Sequence, residues 1–107
     1  MTYAKFVNHL NKMINCKAYY RQVPIGTPVP FVCWHITASQ NMAADDIVYK
    51  RQDVIEVDLY TAAKDFSREL ELEEIFREAE LFWEKDEIAL DEEAANMVAY
   101  TITLPIE

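Results

Sequence analysis

The chain has 107 residues, 51% of them hydrophobic and 27% charged, and its formal net charge at pH 7 is −9. This length and composition predict a single globular domain and argue against an intrinsically disordered chain. Two cysteines are too few for a disulfide framework, and no long apolar run predicts a signal peptide or a membrane span, so we expect a soluble intracellular protein.

The charge is unevenly distributed along the chain. Residues 1–44 carry four bases and no acid, whereas residues 45–107 carry all 19 acids against six bases. The four bases are Lys5, Lys12, Lys17 and Arg21. An acidic chain disfavours tight binding to a nucleic-acid backbone, which requires basic patches. Two interpretations remain open: a solvated acidic helix that aids solubility, and oppositely charged faces that meet between neighbouring copies.

The first third of the chain predicts a helix, a short strand and a stiff connection. Apolar residues at helical spacing predict an amphipathic helix over residues 3–14, with Thr2 as its N-cap. Residues 18–22 follow as a short strand. Three prolines and the single glycine crowd residues 24–30, which excludes helix there. We expect this connection to be mobile in the free protein.

A dense β-branched and aromatic run at residues 31–36 predicts a central strand. Residues 37–46 predict a loop or a wide hairpin turn, which we also expect to be mobile in the free protein. Within this loop lie three candidates for contact with a partner, namely Gln40, Asn41 and Met42.

The next strand starts near Ile47 and alternates strictly between Val54 and Tyr60. Its buried face is expected to consist of Ile55, Val57 and Leu59. Glu56 and Asp58 point to the opposite, exposed face. They are interpreted either as acids that keep the sheet from pairing wrongly or as the lining of a channel or subunit interface.

Asp65 is expected to cap a second helix that runs to about residue 80. Its core stripe is predicted to be Phe66, Leu70, Ile75, Phe76 and Ala79. Its other face is largely glutamate, and two of these acids, Glu69 and Glu73, are further candidates for a subunit interface.

Residues 81–84 begin a fourth strand, and residues 97–104 form the last one, which Pro105 ends. The predicted order is α-β-β-β-α-β-β in one domain over residues 1–107. Short loops between neighbouring strands favour an α+β fold, with a mostly antiparallel sheet of four to five strands and two helices on one face.

The sequence predicts no catalytic residue, no metal and no cofactor. Cys33 and His35 share one face of a strand and would need His9 or Cys16 to complete a zinc site, but the paired spacing of such sites is missing. The acidic runs at 45–46 and 91–93 lack the spacing and the glycine of a calcium loop, so we interpret them as solvated turns.

Five short segments of the sequence, taken in their order and spacing, resemble a known group of proteins. They are Tyr19-Tyr20-Arg21, Pro28-x-Pro30-Phe31-Val32, Asn41-Met42-x-Ala44-Asp45-x-x-x-Tyr49-Lys50, Val57-x-Leu59-Tyr60-Thr61-x-x-Lys64-Asp65 and Phe82-Trp83-Glu84-Lys85. Together they resemble small prophage proteins of the head-to-tail joining region of tailed phages of Gram-positive bacteria. The resemblance covers nearly the whole chain from Tyr19 to Leu104, and none of its segments is a catalytic signature.

The resemblance implies a tail-completion or tail-terminator protein. Such a protein forms a ring, usually a hexamer, that stops growth of the tail tube and meets the head connector. The implied partners are further copies of the chain, the major tail-tube protein and a head-completion or connector protein. DNA passes through without specific binding, and no membrane, enzymatic step or cofactor is involved. The implied locations are the host bacterial cytoplasm during assembly and the head-proximal end of the virion tail.

The charge pattern is compatible with a ring, which needs two different complementary patches on each subunit. An acidic wall would also let DNA pass without sticking. The alternative is an acidic protein-binding adaptor or a DNA-mimic inhibitor of phage origin, which would use the glutamate-rich face of residues 65–80. A small enzyme built on a metal or on a reactive Cys16 or Cys33 is the third reading.

Overall fold

A computed structural model describes residues 1–44, 47–89 and 96–106, which form two helices and one five-stranded sheet. In chain order the elements are α1 (Tyr3–Leu10), β1 (Lys17–Tyr20), β2 (Phe31–Ala44), β3 (Ile47–Thr61), α2 (Phe66–Glu78), β4 (Trp83–Ala89) and β5 (Asn96–Ile106). The spatial order is β1-β2-β3-β5-β4; only β1 and β2 pair in parallel. The predicted α+β fold and element order are confirmed. The acidic runs at 45–46 and 91–93 lie outside the described residues.

The core lies between the helices and one face of the sheet. As predicted, Ile55, Val57 and Leu59 of β3 are almost fully buried there. They pack in one cluster with Phe6 and Leu10 of α1, and other members of that cluster include Trp34, Leu72, Phe76, Tyr100, Ile102 and Leu104. No helix within the described ranges is long and apolar enough to cross a membrane.

Helix α1 is shorter than its apolar stripe predicted. It begins after the Thr2 N-cap, whose hydroxyl accepts from the Lys5 amide, and it ends at Leu10 instead of residue 14. The amides of Lys12 and Met13 bond to carbonyls three residues back, which tightens the last turn. Asn15 then adopts a positive φ of 53° and turns the chain toward β1. Ile14, the last apolar residue of the predicted helix, is therefore exposed.

The loop or wide hairpin turn predicted over residues 37–46 was wrong for residues 37–44, because β2 continues as a strand to Ala44. Its pairing with β3 runs from Phe31 opposite Tyr60 to Ala44 opposite Ile47, with an irregularity between Ile36 and Ala38. The Thr37 hydroxyl donates to the carbonyl of Val54 at 3.2 Å. A long partner strand thus imposes extended structure on residues with weak strand preference.

The core stripe predicted for α2 was wrong at two positions. Asp65 does cap the helix, accepting a hydrogen bond from the Arg68 amide. Phe66 and Leu70, however, are 69% and 65% exposed, and the helix buries Glu69 and Leu72 instead. Helix α2 can turn Glu69 toward the core because Lys64 and Lys85 neutralise its carboxylate.

Pro105 does not end the last strand, which continues to Ile106. Within β5 it pairs with Gln52 of β3, and its carbonyl accepts a hydrogen bond from the terminal ammonium of Met1 at 2.8 Å. The missing proline N–H consequently removes no ladder hydrogen bond.

Candidate functional site

The sheet face opposite the helices brings together side chains that are far apart in sequence. We call this surface the open face and define it by Cys33 and His35 of β2 and Glu56, Asp58 and Tyr60 of β3. The antiparallel register places His35 opposite Glu56 and Cys33 opposite Asp58. Two adjacent cross-strand pairs thus form a compact group at the centre of the sheet.

Three of these side chains converge on one point. One ligand atom each from His35, Glu56 and Asp58 can be chosen so that all three lie within 4.8 Å of one another. The Nε2 atom of His35 lies 3.8 Å from a carboxylate oxygen of Glu56, and both side chains are 34% exposed. Solvent therefore reaches this group at His35 and Glu56, whereas Asp58 forms its buried side.

Asp58 was expected on an exposed face, and that expectation was wrong, because only 6% of the residue is accessible. It lies on the central strand of the sheet, between Cys33 on β2 and Ala99 on β5. Next to it on the same face, the Tyr60 ring stacks on Phe31 at 4.9 Å between centroids. A short carboxylate among longer side chains and neighbouring strands is shielded from water.

Burial, the charge of Glu56 and a hydrogen bond with its carboxyl, in that order of size, together raise the pKa of Asp58 from 3.8 to about 7. Its Oδ1 atom has no hydrogen-bond partner among the described residues. Burial, followed by the charge of Asp58, also raises the pKa of the Cys33 thiol and of the Tyr60 hydroxyl. Both neighbours are therefore neutral at pH 7 and offer no positive charge.

A second charged cluster lies on the helix side of the sheet, around Glu69. Glu69 was expected on the exposed acidic face of α2 but is only 2% exposed. The Lys64 ammonium lies 2.9 Å from Oε1 and 2.8 Å from Oε2, and the Lys85 ammonium lies 2.9 Å from Oε1. Oε2 lacks a well-directed hydrogen bond among the described residues, so its contact with Lys64 is an ion pair only. Burial alone raises the pKa of Glu69, but the two lysines outweigh it and lower the pKa below 4.5.

Glu73 joins the same cluster one turn further along α2. Its Oε2 atom accepts a hydrogen bond from the Tyr100 hydroxyl at 2.8 Å and one from the Lys85 ammonium at 3.1 Å. Lys85 also lies 5.9 Å above the Tyr100 ring. Glu69 and Glu73, both predicted for a subunit interface, thus join α2 to β4 and β5 within the chain.

A third buried carboxylate, Asp53, is fully satisfied on the helix side. The Ser39 hydroxyl donates to it at 2.7 Å, the Tyr3 hydroxyl donates to its other oxygen, and Arg51 lies 3.4 Å away. Burial raises the pKa of Asp53, but these partners outweigh it and lower the pKa. Sequence reasoning missed this group, because it depends on α1 packing against the β2–β3 pair.

The two edges of the sheet differ in charge. Lys17 and Arg21 lie on and just after the edge strand β1, and both are exposed. At the opposite edge, β4 exposes Glu84, Asp86 and Glu87. Among the described residues, the predicted separation of basic and acidic segments thus becomes a separation between two edges of one sheet.

The remaining candidates lie apart from this pattern. Lys5 is exposed on α1 beside a depression that includes Pro105, whereas Lys12 is exposed in the turn after α1. Gln40, Asn41 and Met42 lie in β2, where their backbones pair with residues 52, 51 and 50 of β3. The predicted contact loop is therefore part of a strand, and of its three residues only Met42 lies where β2 and β3 pair without β5.

Comparison with known proteins adds no family assignment, since no protein-family model matches the chain and no curated protein is significantly similar to it.

Proposed function

We propose that this protein is a structural component of the phage head-to-tail junction that assembles into a ring at the end of the tail tube. The observation that carries the proposal is the opposite charge of the two sheet edges. In the ring, the basic edge of one subunit, with Lys17 and Arg21, faces the acidic edge of the next, with Glu84 and Asp86. This contact joins two different patches, as a closed cyclic assembly requires.

Both edges carry strands whose outer backbone groups have no partner strand in the described sheet. β1 pairs only with β2, and β4 pairs only with β5. Free strand edges readily accept another chain, and charged side chains determine which chain is accepted. Complementary charge at the two edges therefore favours a head-to-tail contact and opposes contact between two identical edges.

The ribbon formed by the ends of β2 and β3 supports assembly in a second way. Beyond Arg51, which pairs with Ile106, the described part of β3 pairs with β2 alone. The ribbon contributes to an elongated shape of 52 × 26 × 23 Å. An isolated two-stranded ribbon has marginal stability, so we propose that it packs against a neighbouring subunit or against the tail-tube protein.

The alternative of a DNA mimic receives less support from α2. A mimic needs unpaired acids in a row, but Glu69 is buried between two lysines. Glu71 pairs with Arg68, and Glu74 pairs with Arg77. Most of the negative charge of this helix is therefore balanced within the subunit, which favours the ring over the mimic.

Charge reversal at the two edges tests the proposal. One variant, Lys17→Glu with Arg21→Glu, makes both edges acidic; the other, Glu84→Lys with Asp86→Lys, makes both edges basic. We expect native mass spectrometry and negative-stain images to show rings for the wild type and none for either variant alone. An equimolar mixture of the two variants should form rings again, with an even number of alternating subunits.

The matched control is Glu78→Lys with Glu80→Lys, which changes the charge by the same amount near the end of α2, where both acids are exposed. It should still form rings. Rings that persist in either edge variant, or a wild-type two-fold dimer that survives dilution, would contradict assembly through these edges.

A further inference from the structure

We propose that His35, Glu56 and Asp58 bind a divalent transition-metal ion, with Zn²⁺ as the best-matched probe. The site lies at the centre of the open face. It differs from the zinc site considered from the sequence, which relied on Cys33. It is also independent of the ring contact, because all three ligands come from one subunit.

The donor atoms are already close to the positions that a metal needs. They lie within 4.8 Å of one another, and the Nε2 atom of His35 lies 3.8 Å from a carboxylate oxygen of Glu56. Ligands at about 2.1 Å from zinc lie about 3.4 Å apart in tetrahedral geometry. Binding therefore requires the separations between donor atoms to shorten by at most about 1.4 Å, which small side-chain rotations can supply.

Asp58 provides independent evidence for a ligand. It is 94% buried, and its Oδ1 atom lacks a hydrogen-bond partner among the described residues. Buried polar atoms are normally paired, so an unpaired one beside two other donors indicates a missing partner. In the described structure, neither Asp58 nor Glu56 forms an ion pair with a lysine or an arginine.

The donor set selects the kind of ion. Calcium and magnesium prefer sites made of oxygen ligands alone, whereas an imidazole nitrogen favours zinc and other late first-row metals. One imidazole and two carboxylates supply three protein ligands and leave the solvent side of the ion to water. Because β3 is paired with β2 on one side and with β5 on the other at these positions, Glu56 and Asp58 are held on a rigid support.

The test is isothermal titration calorimetry of the EDTA-treated, full-length protein with Zn²⁺. We expect one ion per chain and a higher melting temperature when zinc is present. His35→Ala, Glu56→Gln and Asp58→Asn should each weaken binding by at least about tenfold. Co²⁺ provides a second readout, since its visible spectrum should be lost in His35→Ala even though circular dichroism shows a folded chain.

The controls use the same residue types elsewhere. His9→Ala removes the only other histidine, and Glu84→Gln removes an exposed carboxylate from the edge strand; both should bind zinc as the wild type does. Cys33→Ser should also bind normally. Loss of binding in any of these controls, equal affinity for Mg²⁺ and Zn²⁺, or no saturable zinc binding by the wild type would overturn the assignment.

Discussion

Two carboxylates are buried on opposite faces of this sheet, and their surroundings differ. Glu69, on the helix side, lies between the ammonium groups of Lys64 and Lys85. Asp58, on the open face, has Glu56 beside it and no cation among the described ion pairs. The pKa is accordingly lowered for Glu69 and raised for Asp58.

Glu69 and Asp58 differ in whether their negative charge has a cationic partner within the described subunit. The partners of Glu69 come from the segment before α2 and from β4, so its ion pairs tie separate elements together. The negative charge of Asp58 stabilises no contact within the described subunit. A buried charge with partners supports the fold, whereas one without them reduces stability unless it is protonated or bound.

The largest effect is expected from Glu69→Gln, which removes the negative charge between the two lysines. At pH 7 the free energy of unfolding should fall by about 2–3 kcal/mol, because a buried hydrogen bond between charged groups contributes about that much. Urea unfolding followed by circular dichroism measures the change. The pKa of Glu69 is lowered, so its contribution is present above pH 4.5 and is lost as the pH falls through the folded-state value.

Glu74→Gln is the matched control, since it makes the same substitution at an exposed position of α2. Its urea midpoint should match that of the wild type, because exposed ion pairs contribute little. If Glu69→Gln behaved in the same way, the two lysines would not stabilise the fold through Glu69, and the contrast with Asp58 would disappear.

A smaller effect of opposite sign is expected from Asp58→Asn in the metal-free protein. A folded-state pKa of about 7, raised from 3.8, means that the folded chain holds this proton more tightly than the unfolded chain. The resulting stability is present below pH 3.8 and is lost as the pH rises through about 7. At pH 8 the variant should be more stable than the wild type by about 1–2 kcal/mol.

Urea unfolding at pH 5 and pH 8 measures this difference, and the gain should be confined to the higher pH. Glu84→Gln, at an exposed position of β4, is the control and should show no such pH dependence. A loss of stability in Asp58→Asn at pH 8 would show that the Asp58 carboxylate has a favourable partner in the folded chain.

The sequence predicted the fold class and the element order, because apolar periodicity and the Asp65 cap are local signals. It failed where contacts between distant elements decide the outcome. The apolar residues of α2 allow two stripes, and the presence of Lys85 on β4 selects the one that buries Glu69. Residues 37–44 have weak strand preference and become extended only through pairing with β3.

The candidate site was predictable only in part. Alternation placed Glu56 and Asp58 together on one face, as the structure has them. The pairing of His35 with Glu56 depends on the register of β2 and β3, and the length of the connection between the two strands was misjudged. The burial of Asp58 was not predictable either, since it arises from Cys33 and Ala99 on the neighbouring strands.

The smallest effect is expected from Tyr100→Phe, which removes one hydrogen-bond donor from the helix-side cluster. The Tyr100 hydroxyl donates to Glu73 at 2.8 Å, but Glu73 keeps its ion pair with Lys85 at 3.1 Å. The ring itself stays packed against Phe76, so no cavity forms. The free energy of unfolding should therefore fall by only about 0.5–1 kcal/mol in urea unfolding at pH 7. A loss as large as that in Glu69→Gln would mean that neutral donors, rather than the two lysines, hold this cluster together, and the contrast with Asp58 would then be one of hydrogen bonding instead of charge.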